Sequence, residues 1–299
     1  MASTRTSQNE LPAASPRAGH LQASLTLAFE QVVGRTVLTA SKQEPPLRVV
    51  RAFPLEDGSA LVHLHNLSGG LLGGDCIELG IRLGAGASAQ VTTTGATRIY
   101  RPHAEAPITV QSNTIHVAED ALLEYVPDPI IPFARARFCQ RTTIELSPGA
   151  GLFWWEILAP GREAHGELFA YDSVELSMEL LALKRPILCD HARLQPKKHL
   201  LESRARLGHY RYWATFYLCR VGLEPGFWLD AEQRLRNVAQ EFDSPGETLW
   251  GVSTLVAHGL VVRCVARQGH SILAGLREIW RAAKLLMYNR EPIPPRKVN

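Results

Sequence analysis

Apolar and polar residues alternate in short runs over residues 22–194. The clearest runs are 25–29, 35–39, 47–53, 87–94, 108–117, 137–146 and 152–158. They are rich in β-branched residues and are separated by Gly, Pro, Asn or Asp about every ten residues, a pattern typical of consecutive β-strands. The absence of a visible internal repeat argues against a regular solenoid. The pattern predicts a mainly β fold and leaves a sandwich, a barrel and a stacked coil open.

The periodicity changes in the C-terminal third, where two segments predict α-helices. Residues 230–242 begin at Asp230, a good N-cap, and continue with apolar residues at helical spacing. Residues 271–288 begin at Ser271 and carry one apolar stripe that faces either the core or a partner protein. The charged residues expected to lie mostly away from that stripe are Arg277, Glu278, Arg281 and Lys284.

These patterns divide the chain into three parts. Residues 1–21 are rich in Ser, Ala and Pro and have no apolar signal core, so they predict a disordered tail. Residues 22–290 predict one β-rich domain that includes both helices. Residues 291–299 predict an extended tail, because proline lacks an N–H donor and fixes φ.

Composition narrows the classes of function. The chain has 299 residues, of which 45% are hydrophobic and 20% charged, and its formal net charge is +3. This weak positive charge, without a basic stripe interleaved with aromatic residues, gives no reason to expect nucleic-acid binding. No charge-free apolar run approaches the roughly 18 residues of a membrane helix. We therefore expect a cytoplasmic protein that binds neither nucleic acid nor membrane.

Cysteine and histidine offer only weak candidates for metal ligands. The five cysteines are scattered without C-x-x-C spacing, which argues against a disulfide framework and a structural zinc site, so we expect free thiols. Cys76 remains a weak metal candidate because it directly follows Asp75. His63 and His65 alternate onto one face of a predicted strand and form a possible two-ligand site.

The most informative segment is 65–75, which places two glycine pairs around two leucines and ends at Asp75. Glycine pairs permit positive φ and close backbone approach, so the segment predicts a sharp turn. A phosphate-binding loop needs Lys and Ser or Thr after its last glycine, and here a carboxylate and Cys76 follow. A dinucleotide fingerprint needs a following helix, and residues 76–83 alternate like a strand. Asp75 therefore points to a cation or a hydrogen-bond donor.

Four further segments accompany the glycine-rich one. They are 92–101 with paired threonines, 123–133 around a Pro-Asp-Pro turn, 160–167 with Gly-Arg and Gly-Glu pairs, and the final motif Pro294-Pro295-Arg296. Together, in this order and over nearly all of residues 25–296, they resemble the urease accessory protein family called UreD, or UreH in some organisms. The resemblance implies a mainly β architecture with added helices, either like an irregular right-handed β-helix or a two-layer assembly.

The resemblance also implies a function. Members of this family are non-enzymatic scaffolds that assist nickel delivery to apo-urease. They bind the accessory protein UreF, which recruits the GTPase UreG, while UreE donates nickel. The implied nickel path is an internal tunnel, with nickel bound transiently and no tightly bound cofactor. One departure is the absence of a Trp after the Pro-Arg pair, where this chain has Lys297.

Candidate residues for the nickel path follow from matching these motifs. Asp75 ends the glycine-rich segment, Thr93 and Thr94 match the paired threonines, and Arg162 and Glu167 match the Gly-Arg and Gly-Glu pairs. Carboxylates suit a transit route, because ligands on such a route must release the metal. The further carboxylate candidates are Asp128, Glu124 and Glu156. For partner binding, the helix beginning at Ser271 and the proline-rich tail offer Leu276, Trp280, Met287 and Arg296.

Two other readings remain open. One is a β-helical polysaccharide lyase or hydrolase, with Asp75, Glu167 and Arg162 as acid, base and charge stabiliser. The lack of a signal segment counts against it, since such enzymes are often secreted. The other reading is a pure interaction scaffold without a metal path, which mutation of the carboxylates would distinguish.

Overall fold

The computed structural model describes residues 21–103 and 106–295. Over these residues it contains 18 strands and two α-helices, with a single 3-10 turn at Glu163–His165. The strands are β1 (Gln22–Val32), β2 (Arg35–Gln43), β3 (Leu47–Arg48), β4 (Ala52–Pro54), β5 (Ala60–Asn66), β6 (Cys76–Leu83), β7 (Ser88–Thr93), β8 (Thr97–Ile99), β9 (Thr109–Val117), β10 (Leu122–Tyr125), β11 (Ile130–Pro132), β12 (Arg137–Leu146), β13 (Gly151–Leu158), β14 (Ser173–Ala182), β15 (Arg185–Leu194), β16 (Tyr212–Arg220), β17 (Thr248–Thr254) and β18 (Gly259–Ala266). The helices are α1 (Pro225–Glu241) and α2 (Gly269–Tyr288). The predicted mainly β class with helices in the C-terminal third is confirmed.

The first sheet has seven strands in the order β15-β14-β12-β9-β6-β1-β2. Its five central strands run parallel, and the two outer strands run antiparallel to their neighbours. The register aligns apolar positions, with Leu25 opposite Leu79 and Ile81 opposite Ile115. Because side chains alternate between the faces of a strand, one face is apolar, while the other exposes residues such as Glu78.

The second sheet has the strand order β17-β18-β16-β13-β10-β7-β5-β3, with β4 also paired to β5 and the short strands β8 and β11 attached beside β13. Strands β5, β7, β10 and β13 are parallel, and β16, β18 and β17 continue antiparallel. A hairpin cannot join parallel neighbours. Apart from β8 and β11, the strands from β5 to β14 therefore alternate between the two sheets along the chain.

The core is divided by the second sheet, because its two faces pack against different layers. One face meets the first sheet, and this inter-sheet core includes Leu27, Ile81 and Trp154. The opposite face meets the helices, and that helix-side core includes Phe153 and Trp155. A smaller apolar cluster closes one end of the inter-sheet space. Consecutive residues of β13 thus contribute to different cores, and burial of each such side chain is worth roughly 1.5–3 kcal/mol.

Both predicted helices are present, with corrected beginnings. Helix α1 begins at Pro225 rather than Asp230, because a proline in the first turn has a suitable φ and needs no hydrogen-bond acceptor. Asp230 instead lies within the helix and forms an ion pair with Arg234 at 2.8 Å. Helix α2 begins at Gly269, two residues before the predicted Ser271. Lys284, predicted to lie away from the apolar stripe, is only 2% exposed.

Several expectations concern the ends and the thiols. The predicted disordered tail 1–21 lies outside the described residues except for Leu21, and so does Arg296. Within 21–103 and 106–295, neither helix has the length and apolar character to cross a bilayer. The five cysteines are free thiols, as predicted from their scattered positions.

Candidate functional site

The glycine-rich segment 65–75 makes a tight connection into β6. Gly69 and Gly74 have φ values of +74° and +91°, a region that side-chain-bearing residues rarely adopt. A Cβ atom on Gly73 would lie 2.5 Å from the Cβ of Pro102, so this glycine permits close approach of two chain segments. The predicted roles of the glycines, positive φ and close packing, are both confirmed.

Asp75 closes this connection from within. Its Oδ2 accepts a hydrogen bond from the Leu72 N–H at 2.8 Å and its Oδ1 accepts one from the Leu21 N–H at 3.4 Å. The residue is 5% exposed. The hydrogen-bond donors anticipated for Asp75 are thus backbone amides. Burial and the Asp75 charge raise the pKa of the neighbouring Cys76 thiol, which disfavours the thiolate that binds metals.

Thr93 and Asp128 form a reciprocal pair between β7 and the turn after β10. The Thr93 hydroxyl donates to Asp128 Oδ2 at 3.1 Å and accepts from the Asp128 N–H at 2.8 Å. Thr94 donates to the Leu64 carbonyl at 3.4 Å. These bonds hold the Pro-Asp-Pro turn against the strand ends, which is a cap-like role for Asp128.

Arg162 and Glu167 form an ion pair inside the loop after β13. Arg162 donates from Nε to Glu167 Oε2 at 2.9 Å and from Nη2 to Glu167 Oε1. Glu167 also accepts from the Ala134 N–H at 3.0 Å, and the guanidinium lies 4.3 Å from the ring centroid of Phe133. Hydrogen bonds from Arg162 lower the pKa of Glu167. This bidentate pair fixes the loop, and both groups stay charged at neutral pH.

These contacts bear on the enzymatic reading. The Asp75 carboxylate is engaged by the amides of Leu72 and Leu21, and the Glu167 carboxylate by Arg162 and Ala134. The two carboxylates share none of these partners. An acid and base pair needs one group poised to give a proton and another to accept it. The geometry of the described residues gives no such arrangement for these two.

A cavity of about 240 Å³ lies between the sheets near these loops. Thr93 and Thr94 line it together with Gln111 from β9 and Tyr125 from β10. The Tyr125 ring stacks on Trp154, with ring centroids 3.9 Å apart and 17° between the planes. Thr93 is buried at this cavity, whereas Thr94 is exposed and also lines a groove on the outer side of β5.

Polar side chains continue from this cavity across the inter-sheet core, and we call them the polar band. Its members are Thr93, Gln111, Asn113, Gln140, Thr142 and Glu156. Gln111 donates to Asn113 at 3.0 Å, Asn113 donates to Thr142 at 2.9 Å, and Gln140 donates to Glu156 at 2.5 Å. Buried polar groups are normally satisfied in this way. The band separates apolar layers above and below it.

Glu156 is the charged member of the polar band. Its Oε1 accepts from Gln140 and, at 3.3 Å, from the Trp154 indole N–H. Desolvation by burial is the main reason that its pKa rises to about 7. The residue also lines a second cavity, of about 20 Å³, with Asp190 and Tyr217, enough for one water-sized ligand. A carboxylate with such a pKa exchanges a proton near neutrality and can contact a cation transiently.

Glu124 lies elsewhere, which corrects its place among the path candidates. It occupies β10 one residue before Tyr125, so its side chain points to the opposite face of the sheet. There it accepts from Lys284 Nζ at 2.6 Å and from the Trp280 indole at 2.7 Å. Glu124 therefore anchors α2 to the second sheet and lies outside the inter-sheet space.

The candidates for partner binding and the two histidines also lie away from the inter-sheet cavity. Leu276, Trp280 and Met287 are buried in the helix-side core, which corrects their placement on a partner surface. His63 and His65 line a groove on the outer side of β5. Among the residues described, no three His, Cys, Asp or Glu side chains are grouped so as to hold a metal ion.

The sequence analysis missed most of the polar band. Gln140 and Thr142 occupy inward positions of β12 between Phe138 and Ile144, where the alternation calls for apolar residues. A polar residue on the buried phase of an otherwise apolar strand was the available signal. Its partner across the sheet, Gln111, carries the same signal on β9.

Comparison with known proteins gives a consistent answer. A family model described as UreD urease accessory protein matches residues 21–299. A urease accessory protein UreD from Herpetosiphon aurantiacus is 46% identical over 280 residues, which cover 94% of this chain and 96% of the relative. The proteins of the same name from Halalkalibacterium halodurans and Pseudomonas fluorescens are each 30% identical, covering 90% and 92% of this chain and 96% and 93% of the relatives.

Proposed function

This chain belongs to the UreD family of urease accessory proteins, and from this premise we propose that it is a non-enzymatic scaffold for nickel delivery to urease. In this proposal it works in the cytoplasm, binds apo-urease and UreF, and reaches UreG through UreF. Nickel is cargo that binds transiently, and the chain holds no resident cofactor. The irregular β-helix-like coil implied by the family resemblance is part of the same proposal, supported by the alternation of strands between the parallel parts of the two sheets.

The observation that carries the nickel route is the polar band. A packed protein core normally excludes polar side chains, because each must find a hydrogen-bond partner there. Here the band runs from the cavity at Thr93 to the carboxylate of Glu156 through the middle of the inter-sheet core. Amide, hydroxyl and carboxylate oxygens are weak, labile donors to a divalent cation. A metal ion moving along such a row exchanges one oxygen for the next.

The other carboxylates receive supporting roles in this scheme. Asp75 and Asp128 hold segments that frame the 240 Å³ cavity, through bonds to backbone amides and Thr93. Glu167 fixes the loop after β13 through Arg162. Their contribution to nickel passage is to keep the loops in place. In this proposal the side chains that contact nickel are those of Thr93, Gln111, Gln140 and Glu156.

The direct experiment compares Glu156→Gln with a matched control, Glu179→Gln. Glu179 is an exposed residue on the outer side of β14, so its neutralisation leaves the core unchanged. We expect the Glu156→Gln chain to stay folded and to capture apo-urease and UreF, while nickel per urease active site falls at least about threefold. The control should match the wild type. Full nickel content with Glu156→Gln would contradict the proposed route.

Two simpler tests address the wider role. Deletion of the chain should leave urease subunits folded but inactive and poor in nickel, and a normal nickel content would end the proposal.

Truncation after Arg290 removes the proline-rich tail, whose Ile293 carbonyl accepts from Gln90 at 2.9 Å. We expect the truncated chain to capture UreF less strongly. Undiminished capture by a folded truncated chain would exclude the tail as a contact.

A further inference from the structure

An open groove runs along the outer side of the second sheet where β4 and β5 form its edge. Its volume is about 1010 Å³, at the upper end of the range of clefts that bind ligands. Leu61 and His63 from β5 line it together with Phe53 from β4, while Ile293 and Pro294 from the C-terminal tail complete the lining. The groove lies on the opposite face of the sheet from the polar band.

One wall presents an apolar side chain to solvent in a fixed position. Val49 is buried, and its N–H and carbonyl are both bound by the Gln43 side chain, at 2.9 and 3.1 Å. The next residue, Val50, is 76% exposed and lines the groove. A loop pinned on both backbone groups loses little conformational freedom on binding. Val50 is therefore a preorganised apolar contact.

The wall formed by the tail is already in place in the free chain. Gln90, 1% exposed, holds the Ile293 carbonyl, and α2 before it is anchored by the buried contact of Lys284 with Glu124. Prolines on both sides of Ile293 restrict the backbone further. Hydrogen bonds therefore fix the backbone of both walls of the groove in the free chain.

The Arg51 guanidinium favours an occupant that carries an acidic side chain. The lining residues include the guanidinium of Arg51, which lies 4.5 Å from the ring centroid of Phe53, and the imidazoles of His63 and His65. Glu56 is the one carboxylate among the described lining residues. None of the ion pairs among the described residues involves Arg51, so its guanidinium beside an apolar floor complements a segment that carries an apolar and an acidic side chain.

We propose that this groove is the docking site for a segment of a partner protein that places an apolar side chain against Val50 and Phe53 and a carboxylate beside Arg51. The inference rests on the proposed function only in assuming that the chain works within a multiprotein complex. An apolar anchor in a pocket with a charged rim is the usual arrangement of an interface hot spot.

Photocrosslinking identifies the occupant. The photoreactive residue p-benzoyl-phenylalanine replaces Val50 in the full chain, co-expressed with UreF, UreG and apo-urease. The matched control places it at Val256, which is 85% exposed. We expect Val50 to crosslink to a single partner, in a segment with more Asp and Glu than Lys and Arg. Equal crosslinking from both positions, no crosslink, a basic segment, a second copy of this chain or residues 296–299 would each overturn the proposal.

Charge reversal tests the rim. We expect Arg51→Glu to reduce crosslinking from Val50 about five- to tenfold and to weaken its dependence on salt, while Arg51→Lys retains most of it. Arg185→Glu, at the exposed start of β15, is the matched control and should have no effect. Unchanged crosslinking with Arg51→Glu in a folded chain would overturn the acidic occupant.

Nickel content separates the two proposals. If the wild-type chain raises the nickel content of urease but Val50 crosslinks to nothing, the groove inference fails alone. If the chain has no effect on nickel yet Val50 crosslinks to an acidic segment of a partner, the proposed function fails and the groove inference stands.

Discussion

Two glutamates on adjacent strands of the second sheet have opposite environments. Glu124 on β10 meets the ammonium of Lys284 at 2.6 Å on the helix side. Glu156 on β13 faces the first sheet, where neutral donors from Gln140 and Trp154 reach it and no described cation pairs with it. Burial raises the pKa of both carboxylates, but the Lys284 ammonium opposes this rise for Glu124, whereas only neutral donors oppose it for Glu156.

The second sheet therefore separates a structural ion pair on its helix side from a titratable carboxylate on its inter-sheet side. On the helix side, a buried ion pair fixes the position of α2, and removing either partner leaves an uncompensated charge. On the inter-sheet side, burial raises the pKa of Glu156 to about 7, so its charge is adjustable at neutral pH. The first arrangement is suited to rigidity and the second to exchange.

The largest expected effect is on the helix side. Lys284→Met leaves Glu124 buried without its cation and should lower the free energy of unfolding by about 3–5 kcal/mol. Urea denaturation measures this. The double variant Glu124→Gln with Lys284→Met should recover most of the loss, because no buried charge remains. A single variant within about 1 kcal/mol of the wild type would mean that the pair is not a structural anchor.

The next effect concerns the pH dependence on the inter-sheet side. The pKa of Glu156 is about 7 in the folded chain against an ordinary 4.5, so the folded state binds this proton more tightly than the unfolded state. The contribution of Glu156 to the free energy of unfolding is therefore fully present below about pH 4.5 and is lost as the pH rises through 7. The loss amounts to roughly 3 kcal/mol, because each unit of pKa shift corresponds to about 1.36 kcal/mol.

Glu156→Gln removes this titration. The wild type should lose stability relative to the variant between pH 5 and pH 8, when both are unfolded in urea at each pH. Parallel curves for the two proteins would show that Glu156 ionises normally, and the contrast with Glu124 would then disappear.

A smaller effect is expected at Asp75, which accepts from backbone amides rather than from a cation. Asp75→Ala leaves the Leu72 N–H without its partner and should destabilise the chain by about 1–3 kcal/mol. Asp75→Asn keeps an oxygen acceptor and should lose less than half of that. Thermal or urea unfolding of both variants gives the answer, and equal losses would show that the charge matters more than the acceptor.

The smallest effect is expected at Glu167, whose partner Arg162 is partly exposed. Glu167→Gln should change the unfolding free energy by under about 1 kcal/mol at pH 7. The pKa of Glu167 is lowered in the folded chain, so its contribution is present above about pH 4.5 and fades as pH falls further. A loss beyond 2 kcal/mol at pH 7 would place Glu167 with the buried groups.

The sequence by itself determined the features that depend on local physics. Alternation of apolar residues identified a mainly β chain, because strand side chains point to opposite faces. The glycines of 65–75 predicted positive φ values and close packing of two chain segments, because only glycine lacks a Cβ. Apolar periodicity located both helices, although α1 begins five residues earlier than its best capping residue suggested.

The tertiary structure alone decided what covers each face. Alternation shows that Glu124 and Tyr125 point to opposite faces, but it does not tell which face meets helix α2. That answer depends on Trp280 and Lys284, which lie 156 and 160 residues further along the chain. The same long-range packing buried Lys284, which helical periodicity had placed away from the core.

The polar band and the groove were likewise invisible locally. Gln140 and Gln111 become neighbours only because β12 and β9 pair in parallel register. Val50 becomes a fixed surface residue only because Gln43, at the end of β2, binds the backbone of Val49. Local patterns specify which side of a strand a residue occupies, whereas the chemistry of a buried residue is set by distant segments that fold against it.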